Sequence, residues 1–174
     1  MTLRRMAAVL LIALLGSCAA APDETWLRIT EIRTSGGTSS AAVIAVDLND
    51  GQTDTIDIVL QNTTSIVGSS NAQGVGVTLF VARVEYRAAG RDLPPFEFPV
   101  SLFIPAPGSG LASTKTLQDF PVAPVTLKDW LLNPGNFPSN LLSDVLLVEA
   151  RITLRARTDE GRNLETEATV SMAF

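Results

Sequence analysis

The chain has 174 residues, of which 46% are hydrophobic and 18% charged, a balance that is typical of one packed globular domain and excludes a disordered chain. It contains no histidine and one cysteine, Cys18, which excludes a Ser-His-Asp triad, most transition-metal sites and an internal disulfide. Residues 18–174 carry 11 basic and 18 acidic side chains, a net charge of −7, without a Lys or Arg run, which argues against nucleic acid as a partner.

The N-terminus has the layout of a secretory signal peptide. Arg4-Arg5 precedes an apolar run of about ten residues, too short for a hydrocarbon core that needs roughly twenty. The residues that follow match the lipobox of bacterial lipoprotein precursors: Leu15, Gly16, Ser17 and Cys18. An ordinary cleavable signal with an incidental cysteine is the alternative.

The resemblance to lipoprotein precursors implies that Cys18 is lipidated and becomes the first residue of the mature chain. We therefore expect a signal peptide over residues 1–17, a lipidated tether over 18–25 and a single domain over 26–174. The expected location is the bacterial cell envelope, with the membrane as a partner through the lipid anchor. Because Ala19 is not the aspartate of inner-membrane retention, we expect the outer membrane, facing the periplasm, if the host is Gram-negative.

After Trp26, apolar and polar residues alternate in runs separated by turn residues, which indicates β-strands. A first hairpin is predicted from Ala42–Leu48 and Thr55–Gln61, because Asp-Gly in Asn49-Asp50-Gly51 favours a tight turn. A further strand is predicted over Val77–Arg87. Its core-facing residues are predicted to be Phe80, Ala82, Val84 and Tyr86.

The second half of the chain is less regular until its end. Phe96–Ile104 is predicted as a strand that its prolines confine to an edge or to short pieces. Within residues 105–143 we expect short strands near Thr116–Phe120 and Val125–Leu131. The last residues predict a hairpin that turns at Gly161, with a register that pairs Arg157 with Glu165, Arg155 with Glu167, Leu154 with Ala168 and Ile152 with Val170.

About seven or eight such strands predict an all-β fold, a two-sheet antiparallel immunoglobulin-like β-sandwich. The segments Val84-Glu85-Tyr86-Arg87 and Asp159-Glu160-Gly161-Arg162 resemble those of uncharacterised β-sandwich lipoproteins of bacterial envelopes. That resemblance implies the same fold and location and carries no activity.

Three groups of residues are candidates for a site. Oxygen ligands cluster around one turn, but they lack the spacing of a calcium-binding loop, so we expect turn chemistry and no metal: Asp47, Asn49, Asp50, Asp54 and Asp57. Glu85, Asp92 and Glu97 are interpreted as surface charge, because nothing in the sequence sets two of them across a cleft. Trp130 and Phe137 lie in a loop-rich region and are candidate ligand-binding residues, with loop packing as the alternative.

These observations leave no residue with a catalytic role and no cofactor. The sequence therefore favours a non-enzymatic, lipid-anchored structural or protein-interaction module whose partner is an envelope protein. The alternative is a binding module for a glycan or a small apolar ligand that uses the loops of residues 105–143. An exposed aromatic pair in a concave site would favour ligand binding, whereas a charged surface with an open sheet edge would favour protein association.

Overall fold

The computed structural model describes residues 26–38, 40–63, 74–108, 112–138 and 145–174. The predicted signal peptide, lipobox, Cys18 and tether lie outside these residues. Within the described ranges, no helix has the length and apolar character needed to cross a membrane.

Eight strands and one short helix make up the described domain. The strands are Leu27–Thr34 (β1), Val43–Ala45 (β2), Asp54–Asn62 (β3), Val77–Ala88 (β4), Arg91–Ile104 (β5), Ser113–Ala123 (β6), Leu147–Thr158 (β7) and Asn163–Ala173 (β8), and the helix α1 spans Val125–Leu132. One sheet has the order β1-β3-β6 and the other β2-β8-β7-β4-β5. The sheets pack together, which confirms the predicted all-β two-sheet sandwich. All strand pairs are antiparallel except β2 with β8, which is parallel.

The core forms because alternate side chains of each strand point to the same face. In β7 this places Val148, Ala150, Ile152, Leu154 and Ala156 inside, as the alternation predicts. Two polar side chains join the sheets at opposite ends. The amide of Asn62 donates to the carbonyls of Val75 (2.8 Å) and Pro105 (3.1 Å), and the Tyr86 hydroxyl donates to the carbonyl of Val122 (3.0 Å).

The predicted hairpin between residues 42–48 and 55–61 is wrong. The Asp-Gly turn does form, with Gly51 at a φ of +63°, but it carries the chain from one sheet to the other. β2 pairs with the end of β8, whereas β3 lies between β1 and β6. A turn signal shows that the chain reverses and does not show which strands pair.

The strand prediction over Val77–Arg87 is correct except at Phe80. The pairing of β4 with both neighbours shifts between Leu79 and Val81, which marks a β-bulge. The bulge puts Leu79 in the core and turns Phe80 outward, where 42% of it is exposed. Strict alternation from Ala82 had placed Phe80 inside.

The C-terminal hairpin forms, but β8 is shifted by two residues along β7 relative to the predicted register, so the turn is shorter than predicted. Arg155 pairs with Glu165, Arg157 with Asn163, Leu154 with Thr166 and Ile152 with Ala168, while Val170 lies opposite Ala150. The strands stay paired up to a four-residue connection over 159–162, in which Gly161 adopts a φ of +85°. A shift of two residues leaves each side chain on its predicted face.

In the described part of residues 105–143, the chain forms one longer strand and a helix. The strand predicted near Thr116–Phe120 is the centre of β6, and β5 occupies a sheet edge as its prolines require. The strand predicted over Val125–Leu131 is wrong, because the segment forms α1 after Pro124. Leu127 and Leu131, one helical turn apart, are buried in the core.

We predict that Ile152→Ala destabilises the domain several times more than Arg155→Ala. Ile152 is fully buried, and truncating such a side chain costs about 2–5 kcal/mol. Arg155 forms an exposed ion pair with Glu165, and such pairs contribute less than about 1 kcal/mol. Denaturant titrations of both variants measure the difference. Equal losses in the free energy of unfolding would show that β7 does not supply the core.

Candidate interaction surface

The outward face of the five-stranded sheet is covered by paired charges. Arg151 donates to Glu167 at 2.5 Å, and Arg155 donates to Glu165 at 3.1 Å. The Arg151–Glu167 pair holds the pKa of Arg151 above its usual value. Cross-strand pairs of this kind fix side chains in place and add little stability.

Strand β8 is an open edge over most of its length. Among the described residues, its outer side pairs only with β2, at Ser171–Ala173. Beside the unpaired part lies a groove of about 430 Å³ between the two sheets. It is lined by Leu27, Arg28 and Ile29 of β1 and by Glu165, Thr166 and Glu167 of β8.

Two exposed phenylalanines lie on the outward face of the five-stranded sheet: Phe80 near the start of β4 and Phe103 near the end of β5. Phe103 is 53% exposed and pairs across strands with Thr78, and Thr78 in turn pairs with Arg157 of β7. Thr78, Phe80 and Arg157 line a depression of about 310 Å³. The guanidinium of Arg157 donates to the side chain of Asn163 and forms no ion pair within the described part of the chain.

Trp130 and Phe137 do not form an exposed platform. Trp130 lies in α1 and packs partly against the core, and Phe137 is fully buried. Their ring centroids are 6.4 Å apart at a tilt of 56°. Phe137 therefore has no free face for a ligand, and the packing alternative describes the geometry of this pair better.

The three carboxylates considered for glycoside chemistry lie beside arginines. Glu85 forms an ion pair with Arg83 at 2.8 Å, and Glu97 lies opposite Arg83 in the pairing of β4 with β5. Asp92 lies 3.9 Å from Arg87. Although Glu85 and Asp92 line one shallow depression, these arginine neighbours agree with their interpretation as surface charge.

The acidic turn binds a lysine that no pattern in the sequence singles out. Lys128 of α1 is 1% exposed, and its ammonium lies 2.6 Å from both Oδ1 of Asp50 and Oδ2 of Asp54. The contact with Asp50 is a hydrogen bond, whereas that with Asp54 is an ion pair without hydrogen-bond alignment. These contacts fasten α1 to the connection between the sheets.

Two other aspartates of this acidic group accept hydrogen bonds from backbone amides. Asp47 accepts the amide of Asn49 at 2.9 Å, which is turn chemistry as predicted. Asp57 accepts the amides of Gly36 and Asp119, 3.2 and 3.1 Å away. No group of three potential ligands that could hold a metal ion occurs among the residues that the structure describes.

The Lys128 cluster shifts the pKa values of its members. Burial by itself lowers the pKa of Lys128, but the hydrogen bond to Asp50 and the charges of Asp50 and Asp54 outweigh it, so the pKa lies above its usual value. The hydrogen bond from Lys128 holds the pKa of Asp50 below its usual value. Both shifts favour the charged forms of the two groups.

No protein-family model matches the chain, and no curated protein matches it significantly. The resemblance to envelope lipoproteins and the expected interaction role therefore rest on the residues of this chain alone.

We predict that Asp50→Asn/Asp54→Asn destabilises the domain more than Lys128→Met does. The double variant leaves a buried ammonium without a counterion, which costs roughly 3–5 kcal/mol. The aspartates are 31% and 24% exposed, so they can hydrate when the lysine is removed, and methionine keeps much of its volume. Denaturant titration at neutral pH measures both losses, and the reverse order would contradict a buried ammonium.

The stability difference between the wild type and Lys128→Met should also depend on pH. A raised lysine pKa contributes stability below the unfolded value of 10.5, lost as pH rises through the folded pKa. A lowered aspartate pKa contributes stability above 3.8, lost as pH falls through the folded pKa. We expect a constant difference between these values and a smaller one outside them. A difference that does not change at either extreme would argue against the ion pair.

Proposed function

We propose that this protein is a lipid-anchored lipoprotein of the bacterial cell envelope that acts, without catalysis, as a protein-interaction module. The lipobox at Leu15, Gly16, Ser17 and Cys18 supports the anchor, because several acyl chains on one cysteine exceed what stable membrane attachment needs. In a Gram-negative host, Ala19 favours the outer membrane, with the domain in the periplasm.

The observation that carries the interaction role is the open edge of β8 beside its groove. An edge strand presents backbone donors and acceptors to which an extended segment of another protein can add as a new strand. The groove supplies Leu27 and Ile29 for apolar contacts, while Glu165 and Glu167 frame it with charge. A partner strand would thus receive both backbone hydrogen bonds and side-chain selection.

Self-association through this edge is disfavoured by charge. An antiparallel pair of β8 strands centred on Thr166 would place Glu165 of each copy opposite Glu167 of the other. Like charges directly opposite each other are destabilising. The edge therefore suits a segment of a different protein, with basic or neutral side chains at these positions.

The glycan or small-ligand alternative has weaker support. It required exposed aromatic side chains in residues 105–143, but Phe137 is buried and Trp130 packs beside it. The exposed pair of Phe80 and Phe103 lies outside that region, on the outward face of the larger sheet.

We predict that Cys18→Ser releases the protein from membranes and leaves the domain folded. The reason is that the thiol is the site of lipid attachment in a lipobox, whereas the described core cluster begins at Leu27 and does not include this residue. Membrane fractionation and the melting temperature of the released chain provide the measurements. A variant that stays bound to membranes would contradict the proposed anchor.

We further expect a photo-crosslinking residue at Thr166, in the groove, to capture a specific envelope protein in the native host. The matched control is the same residue at Arg87, which is exposed on β4 away from the open edge. The crosslinked adduct should be absent when the photo-crosslinking residue replaces Arg87. It should also disappear when the crosslinker at position 166 is combined with Ile29→Lys, because that substitution puts a charge in the groove. Equal capture at both positions would contradict an edge-specific partner.

A further inference from the structure

The end of the sandwich from which the predicted tether leaves is marked by Trp26. The guanidinium of Arg162 lies 4.1 Å from the centroid of the Trp26 ring. Arg162 belongs to the connection between β7 and β8, so this hairpin and the first described residue lie together. We call this region the Trp26 end.

The exposed phenylalanines lie at the same end. The amide of Asp159, in the same connection, donates to the carbonyl of Gly76, just before β4. Gly76 in turn lies against the Phe103 ring, since a Cβ built on it would be 2.8 Å from Cε2 of that ring. Phe103, Thr78 and Arg157 continue as one cross-strand row.

The length of the tether restricts how far this end can be from the lipid. The eight residues 18–25 extend to at most about 28 Å, so an anchor at Cys18 keeps Trp26 close to the membrane surface. The opposite end of the sandwich, where α1 and Lys128 meet Asp50, lies further away by the length of the strands.

The chemistry of this end suits a lipid headgroup layer. Transfer of an aromatic ring out of water lowers the free energy, and aromatic side chains favour the boundary between headgroups and acyl chains. Arg157, which has no carboxylate partner among the described residues, can donate to a lipid phosphate. The charges of nearby Asp159 and Glu160 are balanced by those of Arg157 and Arg162.

We propose that the Trp26 end docks on the membrane, with Phe80 and Phe103 inserted among the lipid headgroups and Arg157 on a phosphate. This inference rests on the proposed lipid anchor at Cys18. Docking fixes the orientation of the domain. It also holds the groove of β8 beside the membrane surface, because Leu27, which lines the groove, is the first residue of β1 and follows Trp26.

Two variants of the full, lipidated chain test the orientation, each with one added cysteine as the only free thiol. Thr78→Cys places a thiol between the two phenylalanines, and Thr169→Cys places one on β8 opposite Arg151, six residues along β7 from Arg157 and thus about 20 Å away. Both native threonines are exposed. Each thiol is labelled with bimane, and the protein is reconstituted in phosphatidylethanolamine and phosphatidylglycerol vesicles with brominated acyl chains.

We expect brominated lipid to quench the label at residue 78 at least about threefold more than the label at residue 169, because an apolar face in the interface reaches the acyl boundary. Adding Phe80→Ser and Phe103→Ser should lower the quenching at residue 78 to that at residue 169. Equal quenching of the two labels, or quenching that survives both serines, overturns the docking and leaves the anchor intact. An N-terminal mass without acyl groups overturns the proposed function and this inference together.

Discussion

The fold depends on the apolar faces of two unequal sheets covering each other. With one cysteine, the chain cannot form an internal disulfide, so burial must supply the stability. Three strands cannot cover five, and the structure resolves the mismatch in two ways. At one end α1 places Leu127 and Leu131 in the core, and at the side the described strands leave β8 as an open edge beside β1. The candidate interaction surface follows directly from this mismatch.

The helix that closes the core brings a charge into it. α1 is only eight residues long, too short to be stable by itself, and its Lys128 is almost completely buried. Asp50 and Asp54 compensate that charge from the connection between the sheets, so the ion pairs also fix where α1 sits. A buried pair adds little net stability compared with apolar packing, but its removal leaves a costly unpaired ion. Its role here is to set position.

The local sequence pattern predicted most of the strands. The strand register and the long-range contacts depend on residues far apart in the chain, and the pattern could not predict them. Alternation placed Ile152 and Leu154 in the core, yet it is unchanged by a two-residue shift, so it could not select the hairpin register. The bulge that exposes Phe80 breaks the period without a sequence signal. Lys128 meets Asp50 across 78 residues of chain, and no spacing rule relates residues that far apart. The site residues were missed for the same reason, since the open edge of β8 depends on β2 being short.

The proposed interaction depends on an unpaired edge of β8. Amide hydrogen exchange of the purified chain tests it most directly, because neighbouring amides along a strand point to opposite sides. Between Asn163 and Val170, we predict slow exchange for the amides that face β7 and fast exchange for the alternate amides that face outward, while β4, paired on both sides, is protected outside its bulge. Uniformly slow exchange along β8 would show that its edge is already covered and would contradict the proposed interaction.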